Sequence, residues 1–308
     1  MKYYMAPLEG ITTFIYRKAY HKYFAPMDKY FTPFLVPHSK KGFSKKELNE
    51  ILPEHNEGMY LVPQIMSNAA EGFLDTVGKL KRYGYKEVNL NLGCPSKTVV
   101  TKGRGSGFLA KPEELNRFLD TIYSKADVAI SIKTRIGKDS PEEFERLLDI
   151  YNQYPVKELI IHPRIQQDFY KNTPNLEVFE YAYRESKNPV CYNGDIFSKH
   201  DYEKIVTRFP ELGMIMLGRG LTGNPGLAEE LRGMGEVDME CLRLFHDQVL
   251  KDYMDLSFGD KNVLFKMKEL WVYMGSLFPE SEKLLKKIKK ATDVKAYEQV
   301  VDEIFKCI

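Results

Sequence analysis

Short apolar runs of strand character recur at about residues 2–6, 29–36, 59–66, 86–92, 127–133, 157–162, 188–193 and 213–218. Between most of them lie segments of helical periodicity, from Ala69 to Tyr83, Pro112 to Lys125, Pro141 to Tyr154 and Lys199 to Phe209. Eight strands alternating with helices over roughly 235 residues match the size and order of a (β/α)8 barrel. The prediction is therefore an α/β protein built on a TIM barrel, with a doubly wound open sheet as the alternative. Helix starts such as Lys111-Pro112-Glu113-Glu114 and Asp139-Ser140-Pro141-Glu142-Glu143 place proline and acids in a first turn. After about Glu236 the pattern changes to helix alone, with Leu242, Phe245, Val249 and Tyr253, then Leu264, Met267, Leu270 and Trp271, at three-to-four spacing. The chain is expected to divide into a barrel over residues 1–235 and a small helical domain over 236–308.

Composition narrows the class modestly. With 43% hydrophobic residues, the 308-residue chain can bury a substantial core. A net charge of +2 gives no general pull toward nucleic acid, so any such role must come from clustered charge. One cluster exists, Lys283-Leu284-Leu285-Lys286-Lys287-Ile288-Lys289-Lys290, in which five lysines flank an apolar stripe; it reads as a solvated helix face or as a track for a phosphate backbone. Cys94, Cys191, Cys241 and Cys307 show no paired spacing, which predicts neither a disulfide framework nor a metal site. The start, Lys2-Tyr3-Tyr4-Met5-Ala6-Pro7, has no charged leader, and no run of eighteen apolar residues follows anywhere. Both point to a cytoplasmic protein without a membrane span.

The chemistry concentrates at predicted strand ends, which in a barrel form the catalytic mouth. Asn89-Leu90-Asn91-Leu92-Gly93-Cys94-Pro95 closes an apolar run with two amides and a thiol, and the glycine-rich Gly103-Arg104-Gly105-Ser106-Gly107 follows, read here as exposed. A thiol at that place suggests an acid or nucleophile, against the alternative of a buried packing cysteine. Later strands end in Lys133-Thr134-Arg135, His162-Pro163-Arg164, Asn193-Gly194-Asp195 and Gly218-Arg219-Gly220. Together these describe a pocket for a polyanionic, hydrogen-bonding ligand. The last two clusters supply glycine amides and a guanidinium after strands 7 and 8, where barrels commonly bind phosphate. A phosphate-bearing cofactor seated there would bring a flat ring near Lys133, whose ammonium can stabilise the negative charge that a reduced flavin develops. The Gln64 amide and the backbone at Ala6-Pro7-Leu8 could complete that ring's hydrogen bonds.

In order and spacing, Met5-Ala6-Pro7, Gln64, Asn89 to Pro95, Lys133-Thr134-Arg135, His162 with Arg164, Asn193-Gly194-Asp195-Ile196 and Gly218-Arg219-Gly220 resemble the tRNA-dihydrouridine synthase family. The resemblance covers the barrel and continues more loosely into the helical tail. It implies an FMN-dependent, NADPH-reduced enzyme that saturates the C5–C6 bond of a uridine in tRNA or another structured RNA, with the tail helping to grip the RNA. Hydride would pass from flavin N5 to uracil C6, and Cys94, as a neutral thiol, would protonate C5. Lys133 and His162 would contact the flavin, and Asn193, Asp195, Gly218 and Arg219 would hold its ribityl phosphate end. Asn91 is expected to hold the base and Arg135 to bond a uracil carbonyl, while Arg164 and Tyr170 lie in a substrate-facing loop. Two features depart from the family pattern: Leu8 replaces a methionine, and Pro163 and Asn172 replace a small residue and a glycine in that loop. The competing functions are a flavin barrel acting on a free dihydropyrimidine or dihydroorotate, and an RNA-binding module without catalysis. A small-molecule enzyme would not need the tail and should survive its removal; a non-catalytic module would lack flavin colour.

Overall fold

The computed structural model describes residues 1–38, 42–256 and 259–306. Nine short parallel strands form one sheet: β1 (Lys2–Met5), β2 (Lys29–Phe31), β3 (Leu61–Val62), β4 (Gln64–Ile65), β5 (Glu87–Leu92), β6 (Ala129–Arg135), β7 (Leu159–His162), β8 (Val190–Tyr192) and β9 (Met214–Leu217). Their order is β3-β2-β1-β9-β8-β7-β6-β5-β4. The two end strands are one run of chain interrupted at Pro63, which has no N–H to give to a ladder, so the sheet curls into a nearly closed TIM barrel. All eight predicted strand positions are occupied, with the third split in two. The four named helical segments appear as Ala70–Lys81, Pro112–Lys125, Glu143–Tyr151 and Lys199–Arg208.

The barrel interior has a floor and a mouth. Tyr4, Ala6, Phe31, Val62, Ile160, Cys191 and Met216 pack across its middle. At the strands' N-terminal ends the Lys29 ammonium donates to both oxygens of Glu87 and of Glu158 at 2.8–3.0 Å. The Tyr4 hydroxyl donates to Glu158 and the Tyr60 hydroxyl to Glu87. Every charge in this cluster is paired, as burial requires, and the floor is closed. Ligands are left the opposite end, where the strands' C-termini emerge.

The tail folds as helices Met239–Asp255, Gly259–Met274, Glu282–Lys290 and Val294–Lys306. All eight apolar positions read from its periodicity are buried. Their partners include the barrel as well as each other. The Phe245 ring meets Tyr16 edge-on at 5.2 Å and Phe24 at 5.5 Å, both from the first barrel helix and its end. The Tyr253 hydroxyl bonds that of Thr13 at 3.1 Å. Within the tail, the Trp271 indole N–H donates to the Tyr297 hydroxyl at 2.7 Å, and that hydroxyl also bonds His246 Nε2. Barrel and tail therefore share one hydrophobic core.

Candidate active site

Cys94 stands on a built turn immediately after β5. The Asn91 carboxamide oxygen accepts the backbone N–H of both Gly93 and Cys94 at 3.0 Å, and the Asn91 amide nitrogen donates to Gln64 at 2.7 Å. From below, the Ser106 hydroxyl and backbone N–H both donate to the Cys94 carbonyl. Gly105 adopts φ +54°, and a Cβ there would lie 2.8 Å from that carbonyl and 3.0 Å from the Cys94 Cβ. Contrary to the sequence expectation, Gly105, Ser106 and Gly107 are buried, and the glycine-rich segment is the support on which Cys94 rests. The thiol is partly exposed. Burial pushes its pKa up, opposed by a backbone N–H of Ser96 and by Arg135, so it stays protonated at neutral pH.

Two cavities meet at the mouth. The first runs from Ala6, Pro7 and Leu8 past Lys133 and His162 to Asn193, Gly194 and Asp195, then to Gly218 and Arg219. The second opens between Asn91, Cys94 and Arg135 on one side and Pro33 and Phe34 on another. Pro7, Leu8, Lys133, His162 and Tyr170 line both. Gly220 lets the loops after β8 and β9 come together, since a Cβ on it would collide with the Ile196 carbonyl oxygen.

The electrostatics of this wall are strongly positive. Burial, then the nearby Arg135, lowers the Lys133 pKa to about 8, and among the described residues the ammonium has no hydrogen-bond or carboxylate partner. Burial and then the charges of Arg135, Lys133, Arg164 and Arg219 hold His162 neutral. Its Nε2 faces the Arg164 guanidinium at 2.9 Å; arginine can only donate, so Nε2 accepts and the proton sits on Nδ1. Four cations thus surround His162, and two of them, Arg164 and Arg219, pair with the Asp195 carboxylate. Arg219 is further held between the rings of Tyr170, 4.4 Å away, and Phe197, 5.2 Å away.

Several predicted site residues are held by contacts within the protein. Arg135, expected on a uracil carbonyl, is 1% exposed, and its guanidinium donates to the backbone carbonyls of Gly93, Ile165 and Phe169 at 2.8–3.0 Å. It ties the Cys94 turn to the loop after β7. Arg164, expected to face substrate, is equally buried and gives its donors to His162, Asp195 and the Asn172 carbonyl. Gln64 lies inside the barrel, its amide bonded to Asn89 and Asn91. Asn91 shapes the Cys94 turn with the same oxygen that a base would have used. Tyr170 does reach the mouth, stacked at 29° on His162. Phe169, just before it, holds φ +50°, outside the usual range for an aromatic residue.

This arrangement has known relatives. The sequence model for the family described as dihydrouridine synthase (Dus) matches residues 4–306. The chain belongs to that family. It is 26% identical over 230 residues to a probable tRNA-dihydrouridine synthase of Staphylococcus aureus (strain COL), covering 72% of this chain and 68% of that protein. It is 26% identical over 243 residues to tRNA-dihydrouridine synthase B of Pasteurella multocida (strain Pm70), covering 76% and 70%. In fold it is similar to morphinone reductase, solved in complex with tetrahydroNAD, with a TM-score of 0.52 over 77% of this chain and 88% of that one at 13% identity. Membership makes the chain an oxidoreductase, and the sequence resemblance named the right family.

As a dihydrouridine synthase family member the protein also has site residues that strand-end reasoning missed. Phe197 follows the β8 cluster, and Ile11, Pro33 and Phe34 supply apolar wall; Tyr273 reaches the second cavity from the helical tail. Proximity to the quoted motifs could have suggested the first. No sequence signal marks Tyr273. Cys191 is buried in the barrel and Cys241 bonds the Tyr23 carbonyl, so neither competes with Cys94; Cys307 lies outside the described residues. Among the described residues no His, Cys, Asp and Glu cluster could hold a metal, and no helix is long and apolar enough to cross a membrane.

Proposed function

We propose that this protein reduces a uridine of tRNA to 5,6-dihydrouridine, using FMN as cofactor and NADPH as reductant. The observation that carries this reading is the shared wall: Lys133 and His162 face the cationic cavity on one side and the Cys94 cavity on the other. A half-buried, unpartnered ammonium among four clustered cations suits an anionic, phosphate-bearing ring system. FMN held there would supply the hydride to uracil C6. Lys133 would balance charge on the ring's pyrimidine side, the Ala6 to Leu8 backbone would border the ring, and Arg219 would meet the phosphate beside Asn193, Gly194 and Gly218. Asp195 repels phosphate, so its part is to aim Arg219 and Arg164.

The remaining chemistry belongs to the chain itself. Hydride addition at C6 would leave enolate character at C5 and O4, and a proton must then reach C5 to complete the saturation. Cys94 carries that proton as a thiol that is neutral at pH 7 and whose pKa burial raises further, and the thiolate left behind recovers one from water. The uridine must be swung out of its RNA stack to enter the Cys94 cavity. The five lysines of helix Glu282–Lys290 are exposed, and Lys283, Lys289 and Lys290 lack a carboxylate partner among the described residues; they would run along the RNA backbone.

The test is direct. Purified protein should be yellow, and with NADPH it should convert uridine to dihydrouridine in unmodified tRNA, measured by mass spectrometry of the digested nucleosides. Absence of that product with either NADPH or NADH would reject the proposal, and turnover of a free pyrimidine instead would favour the small-molecule alternative. A second expectation concerns pH. Below about 8 Lys133 is charged and ready for an anionic ring; above it the free protein has lost that proton and must regain it on binding. FMN affinity, read by flavin fluorescence quenching, should hold steady through neutrality and weaken as pH rises beyond about 8. An affinity that is flat into the alkaline range would remove Lys133 from the flavin site.

A further inference from the structure

The helical tail does more than stand beside the mouth: it contributes one side chain to it. Tyr273 lies in helix Gly259–Met274, off the buried stripe formed by Leu264, Met267, Leu270, Trp271 and Met274. Instead it lines the cavity into which Cys94 opens, together with Lys133, His162 and Tyr170. The helix is fastened to the barrel rim a little under two turns earlier, where the Lys266 ammonium donates to the Gly10 carbonyl at 2.8 Å and pairs with Glu269 at 2.9 Å. On the other side, the Tyr273 carbonyl accepts the Ser276 hydroxyl and sits against Gly223, where a Cβ would be 3.6 Å away. The ring is therefore delivered by a helix clamped to the barrel.

Its environment points to a ligand. Among the described residues the Tyr273 hydroxyl has no hydrogen-bond partner, although the ring is half-buried beside the mouth. Burial raises the phenol's pKa, helped by Tyr170 and Glu269 and opposed by Arg219, so the group is neutral and able to donate. A flat apolar face with a free polar tip matches a pyrimidine nucleoside, which needs a surface to replace the stacking it loses on extrusion and a donor for its carbonyl or ribose oxygens. Resting on the uridine-reductase reading above, we infer that Tyr273 is a substrate-positioning residue: an aromatic wall, brought by the helical tail, that holds the extruded uridine in register with Cys94. The site is then incomplete without the tail, and seating of RNA on the tail and chemistry at Cys94 become parts of one geometry.

The experiment compares the full-length protein with Tyr273→Phe and Tyr273→Ala. Readouts are kcat and KM for dihydrouridine formation on unmodified tRNA, tRNA Kd by filter binding, bound flavin and melting temperature. Loss of a stacking ring should lower kcat/KM of Tyr273→Ala by roughly tenfold. Its Kd for tRNA should change by less than about twofold, because phosphate contacts elsewhere dominate affinity. Tyr273→Phe should recover most of the loss, since the ring is kept. Bound flavin and melting temperature should stay at parental values. Parental kcat/KM in Tyr273→Ala overturns the inference, as does a Kd that rises in step with the loss, which would place Tyr273 in the general RNA grip. Loss of flavin or of melting temperature also overturns it, by assigning Tyr273 to support of the rim. If the parent makes no dihydrouridine at all, the functional reading fails first, and the two failures are told apart.

Discussion

Cys94→Ala should keep its fold and its flavin yet form dihydrouridine about a hundredfold more slowly or worse, the usual cost of deleting a positioned general acid. The turn beneath the thiol is made by Asn91 and Ser106, which bond the Cys94 backbone N–H and carbonyl, and by Gly105, so alanine preserves the backbone. Removing the sulfur deletes a proton that an ordinary thiol holds at neutral pH and that burial holds more firmly here. The measurement is the rate at which unmodified tRNA reoxidises the NADPH-reduced flavoprotein, with product counted by mass spectrometry. A parental rate in this variant would strip Cys94 of its role and leave the protonation of C5 without a donor.

Ending the chain after Glu236 should abolish cooperative folding. The cut removes Phe245 from between Tyr16 and Phe24, removes Tyr253 from Thr13, and bares an apolar face on the first barrel helix. Each large apolar side chain lost from such a core costs roughly 3 kcal/mol or more, and a domain has only about 5–15 kcal/mol in hand. The shortened protein should aggregate, or melt without a sharp transition and without bound flavin, as followed by circular dichroism and absorbance. A soluble, sharply melting, yellow product would show that the barrel stands alone. The same core explains why tail deletion cannot discriminate an RNA enzyme from a small-molecule one: it would damage both.

The barrel was legible in the sequence because strand and helix periods are properties of the backbone, and burial imposes them on the order of apolar residues. Thus β1 and β5 to β9 appear within a few residues of their predicted limits, and only the third strand, broken by Pro63, and the second, shortened before Pro33, differ appreciably. The mouth was legible for a related reason. Chemistry-bearing residues gather where strands end, so Cys94, Lys133, His162 and Arg219 could be expected at one rim once the barrel was expected.

Which of those side chains are free to meet a ligand was decided only by the tertiary structure. Arg135, Arg164, Asn91 and Gln64 carry the same donors and acceptors in any conformation, but four backbone carbonyls, a histidine, a carboxylate and neighbouring amides of the folded strands and loops take them up. The lowered pKa of Lys133 likewise depends on how deeply the fold encloses it and on where Arg135 comes to rest. Tyr273 is brought to Cys94 from the far end of the chain by a helix clamped at Gly10. Local pattern determines which elements form and which residues stand at their ends; hydrogen-bond partnership and burial depend on segments distant in sequence, and so they are settled when those segments pack.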